Sequence, residues 1–153
     1  MWRSTGALFL TLAMLLSGPH PQAADSNAAP RHRVVFQVDS NDPDTMNLTL
    51  NNVTNVIDAF RDKHEDLEVD VVAYGPGLHM LRADTSKVAD RVAHLPDYAY
   101  PAHLQFSACN NTKEGMERKE GHPIRLLPAA TLVPSGVVRI IELQEQGWSY
   151  VKP

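Results

Sequence analysis

The 153-residue sequence predicts a Rossmann-like α/β domain of three layers with a mainly parallel sheet of about five strands. Three observations predict it. Short β-branched runs alternate with stretches whose apolar residues recur at spacings of three and four, and this alternation continues through residues 33–153. Turn residues such as Gly75-Pro76-Gly77 and Pro134-Ser135 stand between the two kinds of segment. The resulting order, strand then helix repeated to a final strand, sets successive strands parallel and packs helices on the sheet faces.

Val34-Val35-Phe36-Gln37-Val38 reads as a strand buried on both faces. Asp42-Pro43 then supplies an N-cap acid followed by proline at the first helical position. Met46, Leu50, Val53, Ile57 and Phe60 form one helical face, and Thr49, Asn52, Asn55, Asp58 and Asp62 form its expected polar opposite. A second strand covers Val69 to Tyr74 and ends at Gly75-Pro76-Gly77. A helix is expected from a cap at Asp84 or Thr85, with Val88, Val92 and Leu95 inward, and Pro96 and Pro101 bracket a loop. A third strand, His103 to Ala108, delivers Cys109. Residues Asn110 to Lys119 read as a weaker helix, because Gly115 interrupts it. Thr131-Leu132-Val133 is a fourth strand, and Pro134-Ser135 opens a helix with Val137, Val138, Ile140 and Ile141 as its apolar positions. Gly147 ends that helix, and Trp148 to Val151 is the last strand.

The chain's first residues follow a different plan. Arg3 precedes an apolar run from Ala7 to Leu16, then Gly18-Pro19 and the small residues Ala23 and Ala24. This is the anatomy of a secretory signal peptide over 1–24, and the run is too short for the ~20 residues that span a bilayer. A flexible leader is expected over 25–32 and the α/β domain over 33–153, so the mature protein is expected to be periplasmic or secreted, with no membrane span. Fourteen basic and eighteen acidic residues give a formal net charge of −4, with no cluster of the kind that neutralises nucleic-acid phosphates. A single cysteine excludes an internal disulfide framework.

In an open parallel sheet, ligands gather beyond the carboxyl ends of the strands. Three segments should meet there: Tyr74-Gly75-Pro76-Gly77, Cys109-Asn110-Asn111-Thr112 and Val133-Pro134-Ser135-Gly136. Tyr74, Gly75, Gly77, Asn110, Asn111, Thr112, Ser135 and Gly136 are therefore the candidate ligand-binding residues, and Cys109 is the candidate nucleophile. The positive end of a helix dipole favours thiolate over thiol. The competing reading is a small hydrophobe that ends a buried strand. His79, His103 and His122 are candidates to approach Cys109, but they lack paired-ligand spacing, and no metal or cofactor is expected. The sequons at Asn47, Asn52 and Asn110 read as chance matches.

Several of these segments carry a resemblance. Arg33 to Val38, the Asn-rich stretch Asn47 to Val56, Val71 to Leu78, Phe106 to Thr112, and Val133 to Val138 through Gly147 to Tyr150 together resemble the DsrE/DsrF-like family, in its exported branch. The resemblance spans residues 33–153 in order. It implies a Rossmann-like fold, assembly into homotrimers or hexamers, and a cysteine after the third strand that carries sulfur as a persulfide; Cys109 occupies that place. It also implies a sulfur donor or acceptor protein as partner. Relay members of the family work in the reducing cytosol, whereas this chain carries an export signal. The alternative is a non-catalytic small-ligand-binding module or an oligomeric structural module of the cell envelope.

Overall fold

The computed structural model describes residues 31–153; the signal peptide expected over 1–24, and the leader up to residue 30, lie outside the described residues. Five strands form one sheet: β1 (Arg31–Val38), β2 (Asp66–Ala73), β3 (His103–Cys109), β4 (Ala130–Val133) and β5 (Ser149–Val151). Their order is β4-β3-β2-β1-β5, and every neighbouring pair is parallel. Four α-helices connect them: α1 (Pro43–Asp62), α2 (Ala89–Ala99), α3 (Asn110–Glu120) and α4 (Gly136–Glu145). A 3₁₀ helix, Gly75–Leu81, follows β2.

Right-handed crossovers dictate which face each helix covers. The chain steps in one direction from β1 to β4, so its helices fall on one face; the return from β4 to β5 reverses direction and sends α4 to the other. The packing agrees. Phe36, Val38, Val69, Val71, Ala73, Phe106 and Ala108 meet the helices α1 and α2, the 3₁₀ helix and Met116 of α3 in the larger core. Val35 and Val72, which alternate to the opposite side, meet Ile140 and Leu143 of α4 in the smaller one. Full burial of each large side chain in these cores contributes about 1.5–3 kcal/mol.

Local signals explain most element boundaries. The Asp42 carboxylate accepts from the Asp44 and Thr45 amides at the start of α1, with Pro43 in the first turn. Gly121, at φ 76°, closes α3.

Five expectations are corrected. Arg31 and His32, placed in the leader, pair with Asp66 and Leu67 in the sheet. Thr49, placed on a polar face, is fully buried and donates to the Thr45 carbonyl at 2.9 Å, which satisfies its hydroxyl. The helix expected from Asp84 or Thr85 begins only at Ala89, because Asp84 is engaged by Arg82 and Thr85 by His79. Pro96 lies inside α2 rather than in a loop: Val92, Leu95 and Ala99 bury one face and carry the helix past it. Gly115 does not interrupt α3, which runs unbroken to Glu120.

Candidate functional site

The sheet has one point where neighbouring strands send their helices to opposite faces, and it lies between β3 and β4. Such a switch point opens a crevice beyond the strand ends. Cys109 stands at it, as the last residue of β3 and the N-cap of α3. The start of α4 stands across from it. Its N-cap Ser135 accepts from the Val138 amide, and the Asn111 amide donates to the Pro134 carbonyl at 3.3 Å, tying the two helix starts together. Two helix N-termini from opposite faces thus converge on one sulfur.

Glycine is required for that approach. A Cβ on Gly136 would lie 2.9 Å from the Tyr74 Cβ and 3.3 Å from the Cys109 Cβ. A side chain there would push α4 away from the cysteine. Gly77 makes a different close approach: a Cβ would come within 2.1 Å of the Val38 carbonyl oxygen, so glycine lets the 3₁₀ helix pack on β1.

Cys109 is 5% exposed. Burial pushes its thiol pKa up, and this is the largest single influence. The Thr112 hydroxyl and the amides of Gly136, Thr112 and Asn111 act the other way, and together they prevail, leaving the pKa below that of an ordinary thiol. Thr112 is itself oriented: its hydroxyl oxygen accepts from the Gly75 amide at 2.9 Å. Gly75 takes a left-handed φ of 52°, which turns the chain out of β2. Gly75 thus holds in place, from a second segment, the hydroxyl that favours the Cys109 anion.

The other expected site residues divide. Tyr74 packs beside Gly136, and burial raises its phenol pKa. Asn110 turns outward, donating to Glu114 Oε1 at 2.7 Å. His103 stands at the opposite end of β3, and His122 lies beside Glu120, 3.4 Å away. His79 lies nearer, in the 3₁₀ helix, with Nδ1 2.8 Å from Thr85 Oγ1. Among the described residues, no three His, Cys, Asp or Glu side chains come together as ligands for a metal ion. A cavity of about 450 Å³ opens at the amino ends of β1 to β3, far from the cysteine.

Two supporting features were not anticipated. Asp70, 1% exposed in the middle of β2, faces α4, where Arg139 Nε and Nη2 donate to its Oδ2 at 2.9 Å. Burial raises its pKa, although Ser107 and Arg139 favour its anion, and its Oδ1 has no hydrogen-bond partner among the described residues. A lone acid in the run Val69-Asp70-Val71 was the available signal. Arg82, also buried, donates to both carboxylate oxygens of Asp84 and of Glu120, anchoring the end of α3. That pairing holds the Asp84 pKa at about 2.

No family model matches the chain, and no curated protein matches it. Among solved structures it is similar to MTH1491 of Methanobacterium thermoautotrophicum, described as a protein of unknown function. The two are 33% identical over 80% of this chain and 99% of that one, with a TM-score of 0.66.

Proposed function

The chain belongs to the family of MTH1491, and from that premise we propose that it is an exported sulfur-handling protein whose Cys109 carries sulfur as a persulfide, as its resemblance to the DsrE/DsrF-like relay proteins implies. One observation carries the reading. The Cys109 sulfur sits between two helix starts, with three amides and a hydroxyl that favour its anion strongly enough to outweigh burial. Thiolate is the nucleophile in sulfur exchange. The Cys109 thiolate attacks the terminal sulfur of a donor persulfide and a new sulfur–sulfur bond forms. The donor's own sulfur–sulfur bond breaks, and the donor thiolate leaves with the electron pair. Transfer to an acceptor thiolate is the same step in reverse roles.

Mass spectrometry after incubation with a persulfide donor tests this. One added sulfur on Cys109, absent from Cys109→Ser, is expected. An unlabelled Cys109 would overturn the relay reading and favour the non-catalytic alternatives, a binding module or a structural module of the envelope, with the buried cysteine as a packing residue. Export is tested by cell fractionation and by the mass of the mature amino terminus, expected after Ala23 or Ala24.

The proposal extends to self-association. Val137, Val138 and Ile141 lie half-exposed on one side of α4, an unusual concentration of apolar surface on a ten-residue helix. A second copy of the chain, in a trimer or hexamer, covers that side.

A further inference from the structure

A groove of about 410 Å³ lies between the 3₁₀ helix and α3, with Thr112 at its end nearer the start of that helix. Gly75 and His79 form one wall; Thr112, Gly115, Met116 and Lys119, successive positions on one face of α3, form the other. Three observations give it a ligand chemistry. The first is charge. No acidic side chain lines the groove, although the chain carries a net charge of −4. On α3, Lys113 pairs with Glu117 and Arg118 with Glu114, whereas Lys119 makes no ion pair among the described residues. His79 adds an imidazole whose Nδ1 is taken by Thr85 and whose Nε2 has no partner among the described residues.

The second observation is Gly115. It sits mid-helix without a positive φ, and a Cβ there would meet only Arg118 Nη2, at 3.8 Å. The fold does not demand glycine at this position, and glycine weakens a helix interior. Its effect is to keep the groove wall low. The third is nearness to the sulfur: Thr112 lines the groove and lies one turn beyond Cys109 on α3, where its hydroxyl favours the Cys109 anion. Thr112 and Lys119 are about two helical turns apart, on the order of 10 Å.

We propose that this groove binds a small organic acid, its carboxylate held by Lys119 and His79 and its other end directed past Thr112 to the Cys109 sulfur. The binding half stands on the groove itself; delivery to the sulfur rests on the reading of Cys109 as a nucleophile. The small reactant of the relay is then an acidic thiol compound rather than a neutral one.

Two aromatic disulfides test delivery: dithiobis(nitrobenzoate), a dianion, and dithiodipyridine, which is neutral. In each case the Cys109 thiolate forms a mixed disulfide and the aromatic thiolate leaves with the electron pair. The dianion is expected to react with saturation, and Lys119→Gln is expected to slow it about tenfold while leaving the neutral reagent unchanged. An equal effect of Lys119→Gln on both reagents, or none on either, would overturn the groove and leave the nucleophile standing. Slow reaction with both would instead count against the nucleophile. Binding is then decided without it, by following backbone amide resonances during titration with succinate. Shifts at Gly75, Thr112, Gly115 and Lys119 that vanish in Gly115→Leu, with no fall in its melting temperature, support the groove. Their absence in the wild type overturns it.

Discussion

At the scale of single residues, the chemistry turns on how four donors compete with burial at Cys109. Removing one donor should be visible. Thr112→Val deletes the hydroxyl and keeps the shape, so the midpoint of the alkylation rate against pH should rise toward the value of a free thiol, about 8.5. In the wild type the midpoint should lie below that value, because the folded-state pKa is lowered. The same shift links to stability. A depressed pKa contributes stability that is fully present above the unfolded value and is lost as pH falls through the folded one. Urea denaturation at several pH values should therefore show the wild type gaining on Cys109→Ala as pH rises through that window. Gly136→Ala tests the approach of α4 separately. Its Cβ would meet Tyr74 at 2.9 Å, and overpacking of this kind typically costs about 1–3 kcal/mol. The address of Cys109 was legible in the sequence, because an apolar strand followed by Asn-Asn-Thr marks a strand-to-helix junction. The amide of Gly136 and the depth of burial were not. They depend on β4 lying beside β3, which no local pattern encodes.

At the scale of elements, tertiary packing overrode several local signals. Proline inside a helix costs about 3 kcal/mol, yet α2 runs through Pro96 to Ala99, because burying Val92 and Leu95 returns a comparable amount. Gly115 likewise weakens α3 without ending it. The placement of α4 depends on a contact equally hidden from periodicity, the pair of Asp70 with Arg139. Arg139 lies one turn beyond Gly136, so this pair fixes the helix start that faces the cysteine. Arg139→Met would leave Asp70 buried without its partner, a loss expected to cost about 3 kcal/mol. The double replacement Asp70→Val with Arg139→Met should recover most of it, since two apolar groups need no pairing. A double-mutant cycle by chemical denaturation reads both. If Arg139 is also a positioning residue, Arg139→Met should raise the alkylation midpoint of Cys109 as well, a shift that lost stability alone does not produce. Asp70 has its own pH signature. Its folded pKa is raised, so stability should decline as pH climbs from the unfolded carboxylate value near 4 through the folded one, and Asp70→Asn should flatten that slope.

At the scale of the whole molecule, strand order decides what is left uncovered. Three crossovers in one direction place α1, α2 and α3 on one face, and a single return leaves the other face to α4. A ten-residue helix is about 15 Å long, too short to shield a five-stranded sheet by itself. The residues on that face reflect it: Gln37, Gln105 and Thr131 are polar, and Tyr150 donates to Gln37 at its edge. The outward positions of α4 do not. Val137, Val138 and Ile141 are apolar and half-exposed, where solvent contact alone would favour charged side chains. The sequence marks Val137, Val138 and Ile141 as apolar positions alongside Ile140 without separating them, because apolar spacing on a helix does not distinguish a core from an interface. A second copy packed along α4 reconciles the two. Light scattering on the wild type should then give an oligomer, and the pair Val138→Asp with Ile141→Asp should give a monomer. Each position is solvent-facing within one chain, so the monomer should keep a cooperative unfolding transition and its circular dichroism. A wild type that is monomeric, or a double variant of unchanged mass, would assign the apolar side of α4 some other role. The variant also separates assembly from chemistry: α4 lends Gly136 to the cysteine from its first turn, so a monomer that still takes up sulfur on Cys109 would show that the site is complete within one chain.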